Sequence, residues 1–513
     1  MAELAKQLPL TAVTEHEPLE IKERIFKTHT QELVIGLCGP IGTEIHLVAD
    51  CLKDVLSATY QYECVVLRMS DLIRRYATTL SISTQDSAFI NRQKLIEAGN
   101  DLRKANGPSI LAELAVNEIA VNRERNRSGE DFGSRRICYI IDSFKNKEEL
   151  QLFQLIYSEI FYFIGVYSNI ESRVKNLQDA KLGMPEIYTL IDRDSGEEIN
   201  FGQKVTDTFI EADFFLRVDN NSRPAIEAKI RKYLHLIFSS EIITPMPDET
   251  AMYLAYAAAG NSACLSRQVG ASITDKAGGV LAVGWNDVPK AGGGVYHSGD
   301  GVQATTSDKR CLSLGEGVCF NDQEKRTIAQ ALVKELIDKG LVDGDQAKEA
   351  LDVVLKSRIK ELIEFSRAVH AEMLAIISAA QSAGQQMVGG KLFCTTYPCH
   401  NCARHIIAAG IKEVYYIEPY RKSLATKLHD DAITEDEAKL GHVRILMFDG
   451  VSPKRYLDFY KMKKPRKKDG KKIRVPFDQI LPKNTLSLRG IPLLEKQVTA
   501  DLIERKIITV VKI

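Results

Sequence analysis

The sequence predicts an α/β protein of two units, an N-terminal unit around a mostly parallel sheet and a second α/β unit that carries the chemistry. Three observations predict it. Short apolar runs alternate with helical patterns through the first 240 or so residues. A glycine-containing turn follows the first of those runs, as in sheets that hold phosphates at a strand-to-helix turn. A second alternation, beginning after Thr244-Pro245-Met246-Pro247, encloses His370-Ala371-Glu372 and Pro398-Cys399-His400-Asn401-Cys402.

Residues 1–30 read as a polar arm, with acidic residues and no apolar core of signal-peptide length. Glu32–Cys38 is the first expected strand, Gly39-Pro40-Ile41-Gly42-Thr43 its turn, and Ile45, Val48, Leu52 and Val55 mark the following helix. Further strands are expected at Glu63–Arg68, Ile137–Asp142 and Phe161–Val166, and this unit spans 31–240. The second unit spans 245–450, with strands at Gly270–Ile273, Gly279–Asn286 and Lys391–Thr396. An insertion occupies about 290–365: loop to residue 320, then a helix whose capping box would use Asn321 and Glu324. One helix is expected to carry both His370 and Glu372, and another to run over Cys399–Ala409. Residues 451–513 form a basic C-terminal extension, with eleven lysines and arginines between Lys454 and Arg474.

Composition narrows the function classes. A chain of 513 residues with 44% hydrophobic and 27% charged content is that of a soluble globular protein. Its formal net charge is zero, so any affinity for nucleic acid must come from a local patch. No apolar stretch reaches the roughly 18 residues of a membrane span. Ten cysteines in so long a chain do not suggest a disulfide scaffold, and metal-binding thiols must be reduced, so a cytoplasmic location is expected.

The H-x-E and P-C-x-x-C segments carry the chemistry. His370, Cys399 and Cys402 offer one imidazole and two thiolates to a zinc ion, leaving one tetrahedral position open to water. Glu372, two residues from the histidine, can move protons without binding the metal. This pattern is the signature of zinc deaminases acting on cytosine or adenine. A purely structural zinc site is the alternative, and the added H-x-E argues against it. Cys311, Cys319 and His297 have spacing too irregular to predict a second metal site.

Ser266-Arg267-Gln268-Val269-Gly270-Ala271, Gly284-Trp285-Asn286-Asp287-Val288-Pro289, His370–Met373, Tyr397–Ala403 and Ile406–Tyr416 resemble the successive motifs of deoxycytidylate deaminases. The resemblance narrows when Glu418–Ala425 with Leu428-His429, and Phe201-Gly202-Gln203 with Thr206–Phe209, are included. Together these segments resemble bacterial anti-phage deoxycytidine nucleotide deaminases, over nearly the whole chain. That resemblance implies an N-terminal P-loop kinase-like parallel-sheet domain joined to a C-terminal cytidine deaminase-like α/β/α domain. It also implies conversion of dCTP or dCMP to uracil nucleotides during phage infection, a homo-oligomer, and in some relatives a small RNA that holds the enzyme inactive. By the same resemblance Asn286 touches base or sugar and Arg267 lies near phosphate; a turn residue and a solvated arginine are the alternatives.

The first glycine turn departs from a working P-loop. Gly39, Gly42 and Thr43 could cradle a nucleotide, but Glu44, Ile45 and His46 stand where glycine, lysine and a hydroxyl residue are required. Asp142 is placed either to hold magnesium or to cap a helix. A bound nucleotide, a sensing role and a scaffold all remain open for this unit. The basic tract could bind RNA phosphates, with Tyr456, Phe459 and Tyr460 stacking on bases, or stay a solvated tail. Two other functions compete with the nucleotide deaminase: a polynucleotide base deaminase, and an RNA-binding, nucleotide-sensing regulator.

Overall fold

The computed structural model describes residues 21–509 except 82, 84–85, 128–132, 197–204, 220–221, 299–307, 315, 421–422 and 463–464. The arm expected over 1–30 thus lies outside the described residues up to residue 20, as does Phe201-Gly202-Gln203.

The first sheet is built from β1 (Leu33–Cys38), β2 (Glu63–Arg68), β3 (Ile137–Asp142), β4 (Phe161–Tyr167) and β5 (Phe214–Arg217). These run parallel in the order β5-β4-β1-β3-β2. β1 shows why the sequence reads as a continuous apolar run. Leu33, Ile35 and Leu37 share a core with the helix Ile45–Tyr60, while Val34 and Cys38 belong to the core on the other face, where Cys38 Sγ lies 4.0 Å from Val205 O. Both faces of the strand are covered, so every position is apolar. β5 had no sequence signal: its four residues are too few to show a period.

The second sheet contains β6 (Gly270–Thr274), β7 (Val280–Trp285), β8 (Lys391–Thr396), β9 (Glu413–Glu418), β10 (Ile433–Thr434) and β11 (Val443–Met447). Its order is β10-β11-β9-β8-β6-β7, with β6 antiparallel to both neighbours and the other pairs parallel. Helices press closely on both faces. A Cβ on Gly270 would lie 1.9 Å from Ala255 O, in the helix Pro247–Ala259. On the opposite face a Cβ on Gly284 would lie 2.4 Å from Ala371 O and 2.5 Å from Ala375 N, in the helix Ala371–Ser382. Because those neighbours are backbone atoms, Gly284→Ala must push that helix outward. We expect Gly284→Ala to lower both the melting temperature and the catalytic activity, checked by thermal unfolding and turnover on one preparation.

The C-terminal residues depart from the expected extension. β12 (Gly450–Val451) pairs antiparallel with β5, returning the chain to the first sheet. The helix Ile491–Glu504 then packs on the helix Ile110–Arg125. At that contact buried Arg123 donates to Glu32 Oε1 (2.6 Å) and to Glu495 Oε2 and Oε1 (2.9 and 3.1 Å). Tyr157 also donates to Glu495 Oε1, at 3.0 Å. Removing one member strands buried charge, at a cost of about 3–5 kcal/mol. Glu495→Ala should therefore shift unfolding of the first sheet to lower urea concentration, read by far-ultraviolet circular dichroism.

The basic tract is also more ordered than a tail. Phe459 is buried with its ring 4.6 Å from that of Phe214, and Tyr456 stacks on Tyr253 at 4.3 Å. Tyr460 meets Tyr456 edge-on at 5.1 Å. Packing thus engages the three aromatics expected to stack on bases, while the hairpin Lys467–Lys468/Lys471–Lys472 is exposed, with Lys472 paired to Glu241. Among the described residues no helix is long and apolar enough to cross a membrane.

Candidate metal centre and active site

Three residues expected to meet do meet, and the local backbone explains how. His370 lies at the start of a helix, as the sequence suggested, in the N-cap position of Ala371–Ser382. Cys399 occupies the same position before the helix His400–Ala408. Both have extended backbones (φ −72°, ψ 154° and φ −73°, ψ 164°), and neither side chain caps its own helix. Each is free to point away from its helix end, toward the other. Cys402 follows one turn after Cys399, so the two thiols share one side of the helix start.

His370 Nδ1 lies 3.3 Å from Cys399 Sγ and 3.3 Å from Cys402 Sγ. A tetrahedral zinc with ordinary Zn–N and Zn–S bonds sets nitrogen and sulfur about 3.5 Å apart. The three side chains therefore fit a zinc ion as they stand. They are also the one such group of donor atoms within 4.8 Å of one another among the described residues. Cys311, Cys319 and His297 form no second group, and His400, whose Nε2 is 3.8 Å from Glu364, stays outside the cluster.

The three side chains and Glu372 shift one another's protonation. The hydrogen bond with Cys402, then contact with His370, lowers the Cys399 thiol, while the same bond and burial hold Cys402 above its ordinary value. Contact with Cys399 raises His370 to about 9. A cation binding here would displace these protons. Glu372 is buried beside them at 4% exposure, and burial raises its carboxyl to about 7, with Cys399 adding to the rise. A carboxyl near neutrality can both accept and return a proton.

His370, Glu372 and Cys399 line a cavity of about 320 Å³, shared with Arg267, Asn286, Lys325, Lys360, Thr396 and Tyr420. Asn286 borders the cavity, but its amide is engaged with backbone: Oδ1 accepts from Val269 N (2.8 Å) and Nδ2 donates to Arg267 O (2.9 Å). It holds the 267–269 loop in place. Arg267 donates to Glu418 Oε1 at 3.1 Å, beside the Tyr420 ring, and remains half exposed at the cavity wall.

The profile of the cytidine and deoxycytidylate deaminase zinc-binding region matches residues 245–418. The deoxycytidylate deaminase of Enterobacteria phage T2 is 32% identical over 180 residues, covering 35% of this chain and 83% of the phage protein. The chain belongs to the cytidine and deoxycytidylate deaminase family. The phage T4 deoxycytidylate deaminase is 29% identical over 180 residues, covering 35% of this chain and 81% of the relative. The solved dCMP deaminase of cyanophage S-TIM5, in complex with dCMP and dUMP, is 23% identical. It covers 40% of this chain and 99% of its own, at a TM-score of 0.24. As a member of this family the chain is a hydrolase with a deaminase domain.

Around the deaminase site, sequence reasoning missed Lys325, Lys360 and Tyr420 on the cavity wall. It also missed two supports behind the zinc-binding loop. Tyr397 donates to Glu435 Oε1 (2.8 Å), and Ser423 donates to Pro398 O (2.8 Å). Tyr420 and Ser423 fall in the Glu418–Ala425 segment that the resemblance singled out; the lysines had no signal beyond a charged helix face. Away from the deaminase domain, the Gly39–Thr43 turn does follow β1, and three side chains donate to its carbonyls. Lys145 Nζ donates to Gly39 O (2.8 Å), Arg173 Nε to Ile41 O (2.7 Å) and Asn176 Nδ2 to Gly42 O (3.0 Å). Asp142 accepts from His46 Nδ1 at 2.5 Å, with Arg68 3.9 Å away.

Proposed function

We propose that this chain is a zinc-dependent hydrolase that converts deoxycytidine nucleotides, dCMP and dCTP, to deoxyuridine nucleotides. The observation that carries the proposal is the His370–Cys399–Cys402 cluster with buried Glu372 in one small-molecule-sized cavity. His370, Cys399 and Cys402 hold the metal. Zinc, when bound, lowers the pKa of water and so supplies hydroxide near neutral pH. Glu372 takes the proton released by the attacking water, passes it to cytosine N3, and later protonates the departing amino group. Water adds at C4 and ammonia leaves, so the ring gains a carbonyl and loses its amine. Asn286 keeps the 267–269 loop in position, and Arg267 on that loop meets the first phosphate.

The first sheet serves as a scaffold in this reading. Ile45 replaces the phosphate-binding lysine, which supports packing over phosphoryl transfer. The biological setting is phage defence through depletion of dCTP, supported by the resemblance of the Glu418–Ala425 segment. The exposed Lys467–Lys472 hairpin is the surface open to a regulatory RNA. Incubating zinc-loaded protein with dC, dCMP, dCTP, CTP and oligonucleotides tests the assignment. Ammonia and deoxyuridine products from the free deoxynucleotides support it; uracil formed only within oligonucleotides contradicts it and favours a polynucleotide deaminase.

A further inference from the structure

We propose that Lys325 and Lys360, contributed by the insertion, bind the phosphates beyond the first and make dCTP the preferred substrate. This inference rests on the nucleotide-deaminase reading of the same cavity. Both lysines line that cavity together with His370 and Glu372. They sit on two different segments, the helix Phe320–Asp338 and the short turn Arg358–Glu361.

The two segments are tied into one wall. Lys325 Nζ donates to Lys360 O at 3.1 Å, and Asn321 Nδ2 donates to Leu362 O at 3.0 Å. Lys325 keeps only 13% of its side chain exposed, so its ammonium is held rather than sweeping through solvent. Positioned cations lose less freedom on binding an anion than mobile ones.

Neither ammonium is firmly neutralised. Lys360 makes no ion pair among the described residues. Lys325 has only Asp322, at 3.4 Å and 70% exposed, a partner that water screens. Glu361 lines the same wall, and its ion-pair partner, Arg358 at 3.4 Å, is at least as exposed to water as Asp322 is. Arg267, in contrast, is bound to Glu418 at 3.1 Å and can serve one phosphate. A monophosphate has charge for Arg267 alone, whereas a triphosphate carries further charge that Lys325 and Lys360 can meet. The start of the 19-residue helix Phe320–Asp338, whose Asn321 and Asp322 also border the cavity, adds favourable dipole potential for the same anion.

The test compares kcat/KM for dCMP and dCTP in the full-length zinc-loaded protein, its Lys325→Ala and Lys360→Ala variants, and the double variant. Wild type should prefer dCTP. Loss of a charge-assisted phosphate contact should lower kcat/KM for dCTP about 10- to 100-fold, mainly through KM, with dCMP changing far less. Lys360→Arg should retain most of the dCTP preference. Equal loss on both substrates would mean that the wall is only structural, and an unchanged dCTP value would mean that it does not read phosphate; either overturns the inference. Wild-type protein inactive on both nucleotides would instead overturn the underlying function.

Discussion

Glu372→Gln should lower turnover of dCMP and dCTP by about 10²- to 10⁴-fold while zinc remains bound. The substitution keeps the size of the side chain and removes its capacity to carry a proton. Glu372 belongs to the first turn of its helix and lies beside the cluster without belonging to the set of donor atoms that meet there. Metal content should thus be insensitive to the change, and the fold should be as well, because glutamine fits the same buried space. Metal analysis beside steady-state kinetics separates the two properties. Loss of zinc together with activity would make Glu372 a ligand and would contradict the role assigned to it.

Cys402→Ala should remove both zinc and activity. Three side chains surround the metal position, and a cation left with His370 and Cys399 alone would have half of a tetrahedral shell. The thiol is fully buried at the start of a helix that packs against the sheet, so alanine costs little packing beyond the lost sulfur. The expected result is a protein with native-like circular dichroism, trace zinc and turnover below detection. Its melting temperature should no longer respond to added zinc, since a ligand stabilises only the state that binds it. A variant that keeps zinc and turns over at the wild-type rate would show that the metal is held elsewhere.

The parts of this molecule legible in its sequence are those fixed by local constraints. β1 and β3 are covered on both faces and read as unbroken apolar runs. The zinc cluster was legible because C-x-x-C places two thiols one helical turn apart, and H-x-E puts an imidazole and a carboxyl at one helix start. What remained hidden depends on contacts between distant segments. β12 is two residues long and meaningful only beside β5, more than two hundred positions earlier. Glu495 is 372 positions from Arg123, and only the C-terminal helix brings the two together.

Aromatic residues were the main source of misreading. Tyr456, Phe459 and Tyr460 are interleaved with basic residues, which suggested base stacking, yet Phe214 and Tyr253 already cover two of them. The cap of the insertion helix was misplaced for a related reason. The helix starts at Phe320 after Cys319, and the Asn321 amide reaches Leu362 O instead of its own helix end. Asparagine near a helix start suggests a cap, but tertiary contact decided its use.

The most direct test of the account is mass analysis of dCTP and dCMP after reaction with zinc-loaded protein in ¹⁸O-labelled water, run in parallel with Glu372→Gln. The account predicts dUTP and dUMP carrying the label at the ring C4 carbonyl, matched by released ammonia and nearly absent with the variant. Unchanged nucleotides, unlabelled product, or equal product from Glu372→Gln would contradict hydrolytic deamination at this centre.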